Sequence, residues 1–340
     1  MVRRRLLVLA LAAAHCAAAQ AIGVAAPGGA APQARSPAAA DKFQTWRNAA
    51  AATLVDRGDA NSLATAAALR YAGAPGEPKA ASLNLKASAV DLAARASELA
   101  PEDASIGWLH LQLCAGTPPC DVRDVATVMR WVDADNGAAW LQTLAAAQKD
   151  RDATEVDRIL ADMAHGARFD LYWNRTVALM MDALAAAHGQ FPGGYAASDA
   201  ARLTTVIGIA AAEIIPPFAP LLDACKESSA APERREPCMK LSKTMQRGDT
   251  VITQMAGFSM ERRLLAPDSK EARAIAERRH VLEWRVAAAA KLDDPLLPWT
   301  KNARARARLL QMRALPREED VCIALLREHK MALEPPELHP

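Results

Sequence analysis

Aromatic residues are scarce in this chain: Phe, Tyr and Trp make up 4% of its 340 residues. An aromatic-rich β-sandwich is therefore excluded, because the 51% hydrophobic content is carried by Ala and Leu, which favour helices. Neither sign of charge dominates, with 41 Lys and Arg against 39 Asp and Glu. Gly and Pro number 16 and 21, close to ordinary usage, and together with 24% charged residues this excludes collagen-like structure and global disorder. Also missing are a Gly-rich phosphate loop, a His-Glu-x-x-His zinc helix, a Gly-x-Ser-x-Gly elbow and a dinucleotide fingerprint. The expectation is an all-α protein with no cofactor and no metal, leaning away from catalysis.

What is present begins with three arginines, Arg3, Arg4 and Arg5, followed by an apolar run over 6–14 and small residues around Ala17, Ala19 and Ala21. Such a run is too short to cross about 30 Å of hydrocarbon. It predicts a cleaved secretory signal over 1–21 and a periplasmic or secreted protein. Removing it leaves 38 basic and 39 acidic residues, a net charge near −1, so no basic footprint for nucleic acid remains. Residues 22–40, rich in Ala, Gly and Pro, read as a flexible linker.

Five cysteines follow the signal. Export permits disulfides, and the spacing predicts two local clamps across interhelical loops, Cys114 with Cys120 and Cys225 with Cys238. Cys322 shares a helical stripe with Leu325, Leu326 and His329 and is expected to be a buried, unreactive thiol. His110, His165, His188, His280 and His329 are scattered, without metal-ligand spacing.

Trp108, Trp140 and Trp173 are separated by 32 and 33 residues, and each opens an apolar helical stretch after a polar break. Asp133-Ala134-Asp135-Asn136 precedes Trp140, and Pro101-Glu102-Asp103 precedes Trp108. Arg57-Gly58-Asp59 and Arg247-Gly248-Asp249 read as turns in which Gly closes one helix and Asp caps the next. This pattern resembles the tetratricopeptide repeat over residues 41–190. Leu144 and Val156 depart from it, standing where the family has a small Gly and an Ala. The resemblance implies an α-solenoid of helical hairpins with a concave binding face, on which the three tryptophans are repeat anchors or partner contacts.

Beyond 190 the repeat fades into a C-terminal helical region over 191–334 and a tail over 335–340. An apolar helix is expected over 199–215, and the wider stretch 203–222, interrupted by Glu213, Pro216 and Pro217, reads as core rather than a membrane span. A capping box is expected from Asp268 to Glu271. Lys301, Arg304, Arg306 and Arg308 are expected on a solvated helix, and Asn174-Arg175-Thr176 is a glycosylation sequon inside a helix. Asp133, Asp135 and Asn136 fail as a calcium loop, because Ala138 and Leu144 occupy the positions that need Gly and Glu. Glu227-Ser228 resembles a transglycosylase acid, but a charged loop is a poor site for one. Three functions follow in order: a scaffold for an envelope protein or peptide, an envelope enzyme such as a cell-wall hydrolase or lyase with a site between the two helical regions, and a structural envelope protein without a discrete ligand.

Overall fold

The computed structural model describes residues 37–72, 79–187, 198–226, 232–292 and 301–336. The signal segment, most of the linker, His188, Glu227-Ser228 and the last residues of the tail lie outside the described residues. Among the described residues the chain is all-α, with a single isolated bridge between Asn136 and Arg168 as its only β feature. The first helices are α1 (Pro37–Arg57), α2 (Ala60–Tyr71), α3 (Lys79–Leu99), α4 (Ala104–Ala115) and α5 (Val122–Val132). After a 3-10 turn, Gly137–Trp140, come α6 (Leu141–Lys149), α7 (Ala153–His165) and α8 (Trp173–Ala186). The remainder comprises α9 (Asp199–Glu213), α10 (Ala219–Ala224), α11 (Pro232–Met245), α12 (Val251–Leu264), α13 (Lys270–Leu292), α14 (Lys301–Ala314) and α15 (Glu318–Glu328).

Several helix starts are set by short polar side chains that supply an acceptor for otherwise orphaned N–H groups. Asp59 accepts from Ser62 N at 2.9 Å, Asp152 from Glu155 N at 3.0 Å, and Thr250 Oγ1 from Thr253 N at 3.1 Å. Gly58, at φ +71°, ends α1 in the left-handed conformation, so Arg57-Gly58-Asp59 forms the expected turn. Arg247-Gly248-Asp249 does not. Gly248 has no positive φ, and Thr250 rather than Asp249 caps α12. On α13 the cap is Ser269, whose Oγ accepts from Ala272 N at 3.1 Å, one residue past the expected Asp268.

Helices α1 to α5 pack in sequence order, each against the next, as in a solenoid. Buried Ala64, Ala66, Ala67 and Ala68 on α2 let its neighbours approach closely. The order then breaks. Helix α7 packs on α11, while α8 turns back onto α2 and α4 and is flanked by α9 and α14. One apolar core consequently runs from Trp46 to Val321 across the expected boundary at 190. A smaller second core joins α12, α13 and α15 through Phe258, Ile275, Leu282, Val286 and Leu326.

The structure pairs Cys114 with Cys120 (Cα–Cα 5.4 Å) and Cys225 with Cys238 (Cα–Cα 5.7 Å). Cys322 is fully buried but is not the free thiol expected, since no described cysteine is free. The basic run on α14 is solvated only in part, Arg306 being exposed. Arg308 is buried near Glu318, Arg304 donates to the Leu292 carbonyl at 2.9 Å, and Arg306 reaches Asp199 at 2.5 Å. Among the described residues no helix is long and apolar enough to cross a membrane; the stretch 203–222 is divided between α9 and α10.

Candidate functional site

A cleft of about 810 Å³ opens beside the start of α8. Its walls come from the α4 start (Asp103), the loop before α8 (Arg168, Asp170, Tyr172), α8 itself, the α11–α12 turn (Arg247, Asp249) and the α14–α15 junction (Met312, Arg313, Leu315, Pro316, Arg317). These segments are far apart in sequence, and a polar scaffold holds them together.

That scaffold is built around Tyr172, which sits at φ +56° ahead of α8 and provides no side-chain cap. Its hydroxyl donates to the buried Asp133 carboxylate and accepts from Asn136 Nδ2 at 3.0 Å. Arg168 binds Asp133 and, at 3.0 Å, Asp170. Asn136 also accepts from Asp170 N at 3.0 Å, so the Asp133-to-Asn136 segment is knotted to the loop before α8 instead of serving as a simple inter-repeat turn. Burial pushes Asp133 above the usual carboxylate range, against the pull of Arg168.

The missing cap of α8 is supplied from the other half of the chain. Asp249 accepts from Leu171 N at 2.8 Å and from Trp173 N at 3.0 Å. Burial pushes its pKa up to about 8, and the charge of Asp170 adds to that, against the two N–H bonds. The Asp249 carbonyl accepts from Glu318 N at 2.7 Å, while the Glu318 carboxylate accepts from Val251 N at 2.9 Å. Burial raises Glu318 to about 7, against the Val251 bond and Arg308. Two buried carboxylates thus tie the starts of α8, α12 and α15 together.

Nearly every charge on the cleft wall is engaged. Asp103 caps α4 through Ser105 N at 2.9 Å and holds Arg175 at 3.0 Å. Burial would raise Asp103, but the Ser105 hydroxyl and Arg175 outweigh it and hold it below the usual range. Arg313 pairs with Asp182, and Arg317 with Asp320 at 2.6 Å. Arg247 is exposed and has no partner among the described residues. Asn174 is 2% exposed; its Nδ2 donates to the Leu315 carbonyl at 2.9 Å, which leaves Oδ1 buried without a donor. With Thr176 buried as well, the sequon is closed to glycosylation in the folded chain.

None of the three tryptophans lines this cleft. Trp108 is fully buried inside α4 and donates to the Ile214 carbonyl at 3.2 Å, joining α4 to the end of α9. Trp140 ends the 3-10 turn, with the guanidinium of Arg130 4.1 Å and that of Arg158 5.5 Å from its ring centroid. Trp173 opens α8 with a buried, unpartnered Nε1. Their regular spacing therefore does not place them in equivalent surroundings. Among the described residues no three His, Cys, Asp or Glu side chains converge to hold a metal ion.

No protein-family model, curated protein or solved structure matches the chain. The packed helical architecture is compatible with a helical repeat fold. Reasoning from the sequence did not single out Arg247, Asn174, Arg313 or Arg317 as neighbours. The available signal was the unusual Arg247-Gly248-Asp249 turn, legible as a turn but not as a bridge to α8.

Proposed function

We propose that this chain is an exported, tetratricopeptide-like helical scaffold that binds a protein or peptide partner in the bacterial cell envelope through the cleft beside α8. The observation that carries this reading is the commitment of the wall carboxylates. Asp103 caps α4, Asp170 binds Arg168, Asp182 binds Arg313, and Asp249 bonds two backbone N–H groups. Groups held this way shape a surface, whereas a general acid or base must be free to exchange a proton with its substrate. Two disulfides fit an oxidising compartment, which supports the periplasm or the exterior as its location. A cleft closed by segments from both halves of the chain is a concave, pre-formed site of the kind that recognises partners.

A photo-crosslinking residue placed at exposed Asn61, on the cleft wall, tests this in cells against the same residue at Leu99, exposed outside the cleft. The expected result is reproducible recovery of one envelope protein from the Asn61 position and not from Leu99. Equal recovery from both positions, or none from either, overturns the reading. One observation favours the alternative of an envelope enzyme: Asp249 is a cleft carboxylate with its pKa raised to about 8. Under that alternative the purified protein turns over wall fragments, and Asp249→Asn abolishes that turnover.

A further inference from the structure

Asp249 and Glu318 are 5% and 6% exposed, and they meet where the α11–α12 turn touches the start of α15. The Asp249 carbonyl accepts from Glu318 N at 2.7 Å, and the Glu318 carboxylate accepts in return from Val251 N at 2.9 Å. Main-chain N–H groups, not cations, are the hydrogen-bond partners of both side chains. Asp170, before α8, adds negative potential at Asp249, and buried Arg308 on α14 acts on Glu318. The other charges nearby are committed: Arg168 to Asp133 and Asp170, Arg175 on α8 to Asp103, Arg313 on α14 to Asp182, Arg285 on α13 to Glu319, and Arg317 to Asp320. Lys243 on α11 and Arg247 on the turn are exposed, where water screens them. One buried guanidinium therefore faces two buried carboxylates.

Protons keep this junction close to neutral. As pH rises through about 7 and about 8, Glu318 and then Asp249 ionise, and two like charges come to lie together out of water. The junction's bonds do not share that cost equally. An ionised Asp249 binds Leu171 N and Trp173 N more strongly, because these groups lie at the positive end of α8. No such gain reaches the bond from Glu318 N to the Asp249 carbonyl, across which the two charges repel. The contact that yields is thus the one between α15 and the α11–α12 turn. Leu315, Pro316 and Arg317, immediately before α15, form one wall of the cleft beside α8.

We propose that Asp249 and Glu318 form a pH-operated latch: protonated, the pair holds the start of α15 against the α11–α12 turn; ionised, it releases α15 locally and draws back the 315–317 wall of the cleft while the rest of the fold stays closed. The latch concerns the wall itself, and it holds or fails whether or not a partner occupies the cleft.

Hydrogen–deuterium exchange of the full mature chain, read by mass spectrometry at about pH 6 and about pH 9, tests it. Peptides covering 246–253 and 315–321 report the latch, and those covering 89–99 on α3 report the core. Chemical exchange accelerates with pH for both sets alike, so the ratio of latch to α3 rates removes that effect. The ratio is expected to rise about ten-fold between the two buffers in the parent, the factor that corresponds to one pH unit of proton linkage. In Glu318→Gln, which keeps an acceptor for Val251 N and cannot ionise, it should hold steady. A ratio that stays constant in the parent overturns the latch, because the chain then loosens only as a whole, and so does an equal rise in Glu318→Gln. Should Glu318→Gln fail to fold, the parent's ratio decides alone.

Discussion

Asp249 and Glu318 are each over nine-tenths buried, and both are raised above the usual carboxylate range, to about 8 and about 7. In the unfolded chain they titrate near 4, so the folded state holds their protons more tightly. Their contribution to stability is therefore complete below about pH 4 and is lost as pH rises through 7 and 8, at about 1.4 kcal/mol per pH unit per group between its two pKa values. Asp59 and Asp103 act in the opposite direction: burial is outweighed by their capping bonds, their pKa values are lowered, and the stability they add disappears as pH falls below about 4. The expected outcome is a melting temperature that is highest in mildly acidic buffer and declines towards pH 8.5. Glu318→Gln, which keeps an acceptor for Val251 N, should flatten that decline in differential scanning fluorimetry; an unchanged slope would show that Glu318 does not titrate in this window. A second outcome at this scale concerns two glycines. Gly58→Ala places a Cβ at φ +71° no nearer than 4.0 Å to the Val55 carbonyl and should cost about 1 kcal/mol, whereas Gly248→Ala meets the Phe169 carbonyl at 2.7 Å and should cost more, read by urea unfolding.

Several helix boundaries were legible in the sequence where the signal was local, although the Arg247-Gly248-Asp249 turn and the Asp268 cap were not. Asp59 followed by Ser62, the Gly58 turn and the apolar stripe of α7 through Val156, Ile159, Leu160 and Met163 each need only a few neighbouring residues, and the structure follows them. Non-local caps were not legible. Tyr172 looks like an ordinary aromatic ahead of Trp173, and nothing within ten residues indicates that the acceptor for α8 is Asp249, 76 residues away from Trp173. For the same reason the cleft could not be read in advance, since Asn174, Arg247 and Leu315 share no local pattern. The three tryptophans mark the converse case: regular spacing in sequence became three different surroundings, because α8 packs back onto α2 and α4 instead of extending the array. The disulfides act at element scale. Cys114–Cys120 closes a loop of about 7 residues and Cys225–Cys238 one of about 14, which corresponds to about 2.4 and 3.0 kcal/mol of unfolded-chain entropy. Paired Ser replacements should lower stability by amounts of that order, with the Cys225 and Cys238 pair costing more, in chemical denaturation without reductant. If reductant destabilised the doubly replaced proteins as strongly as the parent, these two bridges would not be the source of the effect.

At the scale of the whole molecule, buried interactions link the segments before and after residue 190. Helix α8 receives its N-terminal acceptors from Asp249, Trp108 on α4 donates to Ile214, and the buried core passes without interruption from α1 to α15. A solenoid stabilised only by nearest neighbours could be cut between repeats with a proportionate loss. Here, a chain ending at residue 187 would lose the cap of α8 and expose the apolar faces of α2, α4 and α8 that α9 and α14 cover. Each exposed Leu, Val or Met side chain forfeits about 1.5–3 kcal/mol of burial, and several such losses exceed the 5–15 kcal/mol that holds a typical domain folded. Fragment 37–187 is therefore expected to keep helical circular dichroism but to bind a hydrophobic dye and melt without a sharp transition, while the full mature chain unfolds in one step. Adding a separately produced fragment 198–336 should restore a cooperative transition if the two halves dock as they do in the intact protein. A fragment 37–187 that melted cooperatively near the temperature of the intact chain would instead make the first eight helices an independent unit, and the cleft beside α8 a surface between two domains.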